Sequence, residues 1–461
     1  MTIPPHQKPE TYALFKAYDI RGVFPEELDA DIAYAVGRAL VAYLQPSEVA
    51  VGRDMRVSGE TLSAALIDGI RDQGADVVDV GLVSTDALYF AVGKYGFASG
   101  VMITASHNPP QYNGFKICRE DARALSLEEG IGQIRDLVVT GKISAAPDGK
   151  RGDLTSKDIL QAYVDQAISL IDVSSLNPFR IVVDAGNGMA GKTIPLLFQH
   201  LPGELIPLFF ELDGTFPNHL ANPIDPKNMV DLQKAVVEHK ADLGVAFDGD
   251  ADRMFLVDET GSLIGGDITT AMVAIPILER QPGAAICYNL ICSRSVPETI
   301  SAHGGRPIRT PVGHSLIKKI MRDEDAVFGG EHSGHFYFRD NWYADSGLSA
   351  MLNVLQLMSK AGKPLSEVAA PIDTRVRSGE INLEITDKPG AIERVKRAFE
   401  DAGAATDTFD GLTVAFNDRW LNIRASNTEP LLRVNVEGDT REAMESLRDE
   451  ALEIIQPSGD A

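Results

Sequence analysis

The sequence has little cysteine and no long hydrophobic run, and both absences exclude classes of protein. Its 461 residues include 3 cysteines, Cys118, Cys287 and Cys292, which form no CxxC or Cys/His cluster that would indicate zinc or a redox couple. No uninterrupted apolar stretch is long enough to span a bilayer, and the N-terminus lacks the basic-then-apolar pattern of a signal peptide. We therefore expect a cytoplasmic protein with reduced thiols and no membrane partner.

Positive charge is also scarce. The chain has 43 lysine and arginine residues against 66 aspartate and glutamate residues, a formal net charge of -23. Such a surface repels polyanions and lacks the basic stripe of nucleic-acid-binding proteins, so neither DNA nor RNA is an expected partner. A phosphorylated small molecule is compatible with this charge if local cations and backbone amides form a positive pocket.

Strand-like and helical segments alternate along most of the chain. Its 461 residues exceed one domain of about 100–200 residues, so several domains are expected. The alternation begins at residue 48, repeats after residue 177 and repeats again from residue 253, which is typical of α/β domains. After residue 370 the pattern changes to a helix, three strands and a closing helix, which predicts an α+β domain. The predicted domains are 1–152, 153–256, 257–370 and 371–461.

Ser106 is the first candidate for chemistry. It lies in ITASHNPPQYNGFK, directly after an apolar strand, where Pro109 and Pro110 prevent helical continuation. A serine hydroxyl is a weak nucleophile unless a neighbour takes its proton or neutralises charge, and Lys116 could serve either need. The alternative is a turn in which the serine and asparagine only bond the backbone.

Three aspartates at alternating positions, Asp248, Asp250 and Asp252, follow a second apolar strand in FDGDADR. In an extended segment, residues two apart point to the same side, so these carboxylates should converge and require a cation. Ligands that are all oxygen favour Mg²⁺, and the segment lacks the longer ligand spacing of an EF-hand. Arg253 beside them would offset the acidic charge and face a phosphate. An exposed acidic turn is the alternative.

Two further segments contain histidines and groups that suit a sugar. GGEHSGH follows an apolar strand and offers Glu331, Ser333 and His335 at alternating positions, where carboxylate and hydroxyl oxygens suit vicinal sugar hydroxyls. His314 in TPVGHS, at an expected helix start, is a further candidate. A purely structural role is the alternative for each histidine.

Arginines mark two more segments. RASNTEP, which we predict to be a loop between strands, joins Arg424 to small hydroxyl- and amide-bearing residues, and Arg433 follows shortly after. A forked guanidinium among small donors suits an oxyanion with several acceptors. The alternative is a hairpin turn with an incidental arginine. YDIRG, near the N-terminus, adds Arg21.

In this order, TASHNP, DGDADR, GEHSGH and RASNTEP resemble the four signature loops of the α-D-phosphohexomutase family, and more closely its bacterial phosphomannomutase/phosphoglucomutase branch. The resemblance covers essentially the whole chain. It implies three related α/β domains around a central cleft, plus a C-terminal α+β domain that closes over the substrate. It also implies an enzyme that interconverts hexose 1-phosphate and hexose 6-phosphate, of mannose or glucose, through a hexose 1,6-bisphosphate intermediate.

The resemblance further implies roles for individual residues. Ser106 would carry the phosphoryl group, and a phosphoserine oxygen would join the three aspartates around Mg²⁺. Glu331 and Ser333 would hold the sugar hydroxyls. The positions that match proton transfer or the lining of the site are His107, Lys116, Tyr18, Arg21 and Arg253. The positions that would anchor the existing phosphate are Arg424, Ser426, Asn427 and Thr428.

Three alternative functions would each require different residues at these positions. A phosphoglucosamine or N-acetylglucosamine-phosphate mutase of the same family usually carries glycine in the metal loop and glutamine in the sugar loop, where this chain has Ala251 and His332. A non-catalytic sugar-phosphate-binding protein would lack Ser106, Lys116 or one of the aspartates, and none is missing. A serine hydrolase requires a nucleophile elbow such as GxSxG, whereas Ser106 lies in TASHN. We expect the partners to be small sugar phosphates and the protein to be a monomer or a dimer.

Overall fold

Four β-sheets follow one another along the chain, each built from the strands of one stretch of sequence. The computed structural model that defines them describes residues 6, 9–146, 149–425 and 431–456. Three sheets have parallel central strands, and the fourth is antiparallel throughout. The prediction of three α/β domains followed by an α+β domain is therefore confirmed.

The first sheet combines parallel and antiparallel strand pairs. The elements of this domain are α1 (Pro9–Leu14), β1 (Ile20–Val23), α2 (Ala30–Leu44), β2 (Glu48–Arg53), α3 (Gly59–Asp72), β3 (Asp76–Leu82), α4 (Thr85–Tyr95), β4 (Ser99–Ile103), β5 (Tyr112–Arg119), β6 (Arg123–Ala124), α5 (Gly132–Thr140) and β7 (Leu154–Ser156). The strand order is β1-β5-β4-β2-β3-β7, with β6 beside β5. The pairs along β4-β2-β3-β7 are parallel, and the pairs at β1, β5 and β6 are antiparallel. Helices α3 and α4 both pack on β2 and β4, at the centre of the sheet.

The second sheet joins three parallel strands to an antiparallel hairpin. The elements of this domain are α6 (Leu160–Ser169), β8 (Phe179–Asp184), α7 (Ala190–Phe198), β9 (Gly203–Leu208), α8 (Val230–His239), β10 (Leu243–Phe247), β11 (Met254–Asp258) and β12 (Leu263–Ile264). The strand order is β12-β11-β10-β8-β9.

The third sheet repeats this plan. The elements of this domain are α9 (Gly266–Arg280), β13 (Ala285–Asn289), α10 (Ser295–Ala302), β14 (Arg306–Thr310), α11 (His314–Asp323), β15 (Phe328–Gly330), β16 (Phe336–Phe338), β17 (Ala344–Asp345), α12 (Gly347–Ala361) and α13 (Leu365–Ala369). The strand order is β14-β13-β15-β16-β17.

The fourth sheet is antiparallel, and two helices pack against it. The elements of this domain are β18 (Val376–Glu384), α14 (Lys388–Asp401), β19 (Ala405–Asp407), β20 (Leu412–Ala415), β21 (Arg419–Ala425), β22 (Leu431–Gly438) and α15 (Arg441–Ile455). The strand order is β18-β22-β21-β20-β19.

Two strands extend their sheets beyond the domain limits that the sequence predicts. β7 pairs with β3 and belongs to the first sheet, beyond the predicted end at residue 152. β11 spans the predicted limit at residue 256 and pairs with β10 of the second sheet. A strand that returns to its own sheet has the same alternating pattern as the first strand of a new repeat, so periodicity alone misplaces the limit.

One helix start that the sequence predicts is confirmed, because α11 begins at His314. The last helix, α15, follows Thr440, whose side chain accepts a hydrogen bond from the amide of Ala443 as an N-terminal cap. Among the described residues, no helix combines the length and the apolar character that crossing a membrane requires.

Three buried strands lead into three of the candidate loops. β4, β10 and β15 are buried along their whole length, as expected of strands covered on both faces. The chain becomes polar where each strand ends, at Ser106, Asp248 and Glu331. In open α/β sheets, ligand-binding groups collect at the carboxyl ends of the strands. The three loops therefore occupy equivalent positions in three related domains.

The first three domains share one continuous hydrophobic core. Leu88, Phe247 and Leu352 belong to it, and each comes from a different domain. The fourth domain has its own core between its sheet and its two helices. It contacts the third domain through polar groups, such as the Arg294 guanidinium, which donates to the carbonyl of Phe416 at 2.8 Å. Polar contacts of this kind allow a domain to move more readily than a shared apolar core does.

Candidate active site

Ser106 lies against the aspartates of the second domain. It is buried and adopts a left-handed backbone conformation, with φ 50°. Few residues other than glycine adopt this conformation, so the loop presents Ser106 in one specific orientation. The Ser106 Oγ donates a hydrogen bond to Asp248 Oδ2 at 2.7 Å. The first two candidate loops are therefore in direct contact.

Asp248, Asp250 and Asp252, here called the aspartate cluster, are buried, and each offers an oxygen within 4.8 Å of the others. Within the described chain, Asp250 Oδ1 and Asp252 Oδ1 are buried and accept no hydrogen bond. Burial and the other two carboxylates raise the pKa of Asp248 well above its usual value. A cation between the three would remove both the repulsion and the cost of the unpaired oxygens. Ligands that are all oxygen fit Mg²⁺, as the sequence predicts.

Lys116 already neutralises part of this charge. It lies in β5, and its Nζ is 2.7 Å from Asp250 Oδ2 and 2.5 Å from Asp252 Oδ2. Although burial opposes the charged form, these carboxylates raise the pKa of Lys116 above its usual value. The amine is therefore protonated. Of the two roles that the sequence allows for Lys116, this geometry fits charge neutralisation and does not fit removal of a proton.

Arg253 and His107 flank the Ser106 hydroxyl. The Arg253 Nη2 is 3.5 Å from Ser106 Oγ, and the Arg253 Nε is 3.4 Å from Asp248 Oδ2. The His107 Nδ1 is 3.3 Å from the same serine oxygen. Burial and the cations Arg253 and Arg21 hold the pKa of His107 well below its usual value, so the ring is neutral near pH 7. Ser106 thus has both a fixed cation and a neutral imidazole beside it.

His335 has an acidic partner that the sequence did not indicate. Its Nδ1 is 3.0 Å from Asp345 Oδ2, and Asp345 Oδ1 accepts a hydrogen bond from Lys318 Nζ at 2.7 Å. The same His335 nitrogen is 3.8 Å from Asp252 Oδ1. A backbone bridge between Arg253 and His335 joins the loop of the third domain to the aspartate cluster. His335 is therefore part of the charged cluster, and its direct contact with substrate stays a prediction.

Both carboxylate oxygens of Glu331 have partners within the protein. Its Oε2 accepts from the Tyr337 hydroxyl at 2.6 Å, and its Oε1 accepts from Asn289 Nδ2 at 3.2 Å and from the Gly313 amide at 3.3 Å. These contacts fix the orientation of the carboxylate, and its oxygens keep capacity to accept from a sugar hydroxyl. Ser333, two residues further along, is partly exposed.

The N-terminal segment reaches two of the loops. The Tyr18 hydroxyl donates to the carbonyl of Val312 at 3.4 Å, in the turn that leads to α11 and its first residue, His314. Arg21 lies in β1 and donates from Nη1 to Asn108 Oδ1 at 2.8 Å, two residues after the candidate serine. Of the two predicted lining residues, Arg21 therefore lies against the serine loop of the first domain, and Tyr18 lies against a loop of the third domain.

The fourth domain presents two arginines on neighbouring strands. The prediction that Arg424 lies in a loop is wrong, because pairing with β22 extends β21 to residue 425 and sets Arg424 opposite Arg433. Glu380 approaches both arginines, at 3.9 Å and 3.5 Å. Burial and the Arg433 charge lower the pKa of Arg424, and two guanidinium groups on neighbouring strands suit an anion. The other predicted anchors lie outside the described residues: Ser426, Asn427 and Thr428.

Sequence reasoning missed several residues that hold the cluster in place. Thr85, the first residue of α4, donates its hydroxyl to Asp250 Oδ2, and its amide donates to the Asp250 carbonyl at 3.0 Å. Lys318 and Asp345 are a second example. For Thr85 and Asp345 the one available signal was a polar residue at the start of a helix or the end of a strand, which is common, and Lys318 lies inside α11. Their partners lie in other elements of the fold, so only the folded chain identifies them.

Family models match the four parts of the chain in order. Those of the phosphoglucomutase/phosphomannomutase alpha/beta/alpha domains I, II and III match residues 13–141, 161–261 and 265–374. The model of the C-terminal domain of the same family matches residues 380–454. The order of the four matches follows the order of the four sheets.

Individual relatives span nearly the whole chain. A phosphomannomutase of Salmonella montevideo is 41% identical over 449 residues, which are 96% of this chain and 98% of the relative. A Xanthomonas campestris protein named phosphohexose mutases is 42% identical over 429 residues, 93% of this chain and 95% of the relative. A solved structure of a phosphoglucomutase/phosphomannomutase family protein from Burkholderia thailandensis has a TM-score of 0.89 and 35% identity, and the match covers 97% of this chain and 98% of that one. This chain therefore belongs to the phosphoglucomutase/phosphomannomutase family.

Proposed function

We propose that this protein is a phosphohexomutase that interconverts hexose 1-phosphate and hexose 6-phosphate through a phosphoserine at Ser106. The observation that carries the proposal is the contact between Ser106 Oγ and the aspartate cluster, with Lys116 and Arg253 close by. A hydroxyl carrier, a cation site and fixed positive charges are the groups that phosphoryl transfer requires. The phosphomannomutase and phosphohexose mutase relatives support the same activity.

Each group around Ser106 has a separate part in the transfer. Arg253 faces the serine oxygen and binds oxygens of the phosphoryl group that Ser106 carries. His107, which is neutral, accepts the proton of the sugar hydroxyl that attacks the phosphoserine. Lys116 limits the repulsion among the carboxylates. Mg²⁺, held by the aspartate cluster, would stabilise negative charge on the transferring group.

The proposed intermediate is a hexose 1,6-bisphosphate. The bond between Ser106 Oγ and phosphorus breaks as the sugar oxygen forms its own bond to that phosphorus. Later the phosphoryl group at the other end of the sugar is transferred to Ser106 Oγ, and the sugar oxygen that it leaves takes the proton from His107. Between the two transfers the sugar must turn over, with Glu331 and Ser333 supporting its hydroxyls in both orientations. Arg424 holds the phosphate that is not reacting. The polar attachment of the fourth domain suits an opening that permits this turn and a closure that excludes water.

Mannose and glucose phosphates are the proposed substrates. Ala251 and His332 stand where the glucosamine branch usually has glycine and glutamine. A coupled assay on the 1-phosphates of mannose, glucose, glucosamine and N-acetylglucosamine, with Mg²⁺ present, tests this choice. Preferred turnover of an amino-sugar phosphate would assign the protein to the glucosamine branch.

The same preparation tests the carrier by intact-mass spectrometry. We expect a phosphate-sized mass increment that maps to Ser106, together with turnover of mannose phosphate, glucose phosphate or both. Two results together would contradict the proposal. The protein would turn over none of the four sugar phosphates, and a hexose 1,6-bisphosphate would not phosphorylate Ser106.

Arg424→Ala is expected to raise KM for mannose 1-phosphate and for mannose 6-phosphate alike. Arg424 holds the non-reacting phosphate in both halves of the cycle, so the substitution should weaken the binding of both substrates. A charge-assisted hydrogen bond contributes about 1.5–3 kcal/mol, which corresponds to roughly a 10- to 100-fold change. Initial-rate kinetics in both directions measures it.

Arg419→Ala is the matched control for this variant. Arg419 begins the same strand, pairs with Asp418 and stacks on Phe416, so its loss should leave both KM values near those of the wild type. Unchanged KM values for both substrates in folded Arg424→Ala protein would show that the phosphate is anchored elsewhere.

A further inference from the structure

Four backbone carbonyls of the serine loop converge on one buried guanidinium, that of Arg56. Arg56 lies three residues beyond the end of β2 and is 2% exposed. Its Nη1 donates to the carbonyls of Pro109 at 2.8 Å and Tyr112 at 2.9 Å. Its Nη2 donates to the carbonyls of Ser106 at 2.9 Å and Asn108 at 2.6 Å. One side chain therefore satisfies the loop on both sides of its two prolines.

A second set of bonds holds Ser106 from its amide side. The Ser106 amide donates to Thr104 Oγ1 at 2.8 Å, and the Thr104 hydroxyl donates to Asp54 Oδ2 at 2.6 Å. Asp54 Oδ1 accepts from the Arg56 amide at 3.0 Å. The amide and the carbonyl of Ser106 are thus both tied to the short segment that follows β2.

The second domain covers the Arg56 side chain. The Phe216 ring lies 5.2 Å from the guanidinium carbon, in a stacking position. Gly214 lies so close that an added Cβ would be 2.6 Å from the Arg56 Cα. The guanidinium is therefore enclosed by protein on the side away from the loop, and an alternative side-chain position has little room.

We infer that Arg56 is a positioning residue for phosphoryl transfer, which fixes the backbone of the serine loop so that Ser106 Oγ keeps one position against the aspartate cluster. The inference rests on the proposed function. Ser106 has to give its phosphoryl group to one end of the sugar and accept a different phosphoryl group from the other end, so both transfers depend on one oxygen position. Misplacement of a reacting group by about 1 Å can lower a rate about 100-fold.

A guanidinium suits this task and an ammonium does not. Arginine offers five N–H donors in a planar fork, and two of its nitrogens reach two carbonyls each. Lysine has three donors on a single nitrogen, so it cannot satisfy four acceptors spread along the loop. Carbonyls left without a donor would draw the loop into another conformation.

Arg56→Lys tests the inference, with Arg38→Lys as the matched control. Arg38 is a buried arginine of the same domain whose guanidinium donates to Gln73 and to the carbonyl of Ser144, away from the serine loop. We expect Arg56→Lys to lower kcat about 100-fold and to change KM less than about threefold, because substrate contacts are retained. Arg38→Lys should lower the melting temperature and leave kcat per folded molecule unchanged.

A second pair of variants keeps the test decisive if Arg56→Lys does not fold. Thr104→Val removes the hydroxyl that accepts the hydrogen bond from the Ser106 amide and should lower kcat about tenfold. Thr104→Ser keeps the hydroxyl and should retain the wild-type kcat.

Adding guanidinium ion to Arg56→Ala should restore part of kcat, and methylammonium at the same concentration should not.

Several results would overturn the inference. These are a wild-type kcat in folded Arg56→Lys or in Thr104→Val, a rise in KM alone, and an equal loss of kcat in Arg38→Lys. Turnover by the wild-type protein distinguishes failure of this inference from failure of the proposed function. An active wild type with an unaffected Arg56→Lys variant overturns only the role of Arg56, whereas a wild type without turnover overturns both.

Discussion

Ser106→Ala is expected to lower mutase turnover at least about 1,000-fold and to leave the protein folded. The substitution removes only the Oγ, which donates to Asp248 at 2.7 Å and which we propose as the phosphoryl carrier. Asp248 also accepts from the Arg253 amide at 3.2 Å, so the aspartate cluster keeps one of its bonds to its own loop. Substrate should still bind, because in the proposed function its phosphate is anchored by Arg424 in the fourth domain.

Three measurements on Ser106→Ala separate loss of the carrier from loss of the fold. Initial rates should fall to background, the phosphate-sized mass increment should disappear, and the melting temperature should remain close to that of the wild type. Ser63→Ala is a suitable control, because the Ser63 hydroxyl donates only to the Glu60 carbonyl within α3. Retained turnover by Ser106→Ala with an unphosphorylated loop would rule out the phosphoserine mechanism.

The loops themselves could be predicted from the sequence because their signals are local. A buried strand that ends in a polar cluster is visible in a few residues, as at Ser106 and at the aspartate cluster. The alternation of the three carboxylates predicted a convergent site, and the structure brings their oxygens within 4.8 Å of one another. The order of the four domains could be predicted for the same reason, since each repeat carries its own periodicity.

The partners of these residues could not be predicted, because they are set by tertiary contacts. Lys116 lies on a strand of the first domain but pairs with Asp250 and Asp252 of the second. Arg56 meets the serine loop only after β2 and β4 pair side by side. The pattern of a strand also gives no sign of how far its pairing extends, which is why the sequence wrongly predicts a loop at Arg424.

Removal of the metal or of one of its carboxylates is expected to have the second large effect. Chelation of divalent cations should abolish wild-type turnover, and added Mg²⁺ should restore it. Asp250→Asn keeps the shape of the side chain but removes one negative charge from three. Asp250 Oδ2 accepts from Lys116 and Thr85, whereas Oδ1 is buried and accepts no hydrogen bond within the described chain. If the asparagine oxygen keeps the contacts with Lys116 and Thr85, the amide NH₂ group therefore points towards the cation.

We expect Asp250→Asn to weaken Mg²⁺ binding at least about 100-fold, because changes to residues that only orient metal ligands already cost 10- to 100-fold. The readout besides activity is the melting temperature, since a ligand at 100 times its Kd stabilises the folded state by about 2.7 kcal/mol. Wild-type protein should gain thermal stability as Mg²⁺ is added, and Asp250→Asn should gain little over the same range.

Asp258→Asn distinguishes a metal effect from a general loss of stability. Asp258 is an aspartate of β11 whose Oδ1 accepts from Thr260 and Ser262 in a turn, outside the aspartate cluster. Its replacement should lower the melting temperature in the absence of metal but leave the gain on adding Mg²⁺ equal to that of the wild type. Undiminished turnover in thoroughly chelated wild-type enzyme, or an Asp250→Asn variant with the wild-type Mg²⁺ response, would show that the three carboxylates hold Lys116 and Arg253 rather than a metal.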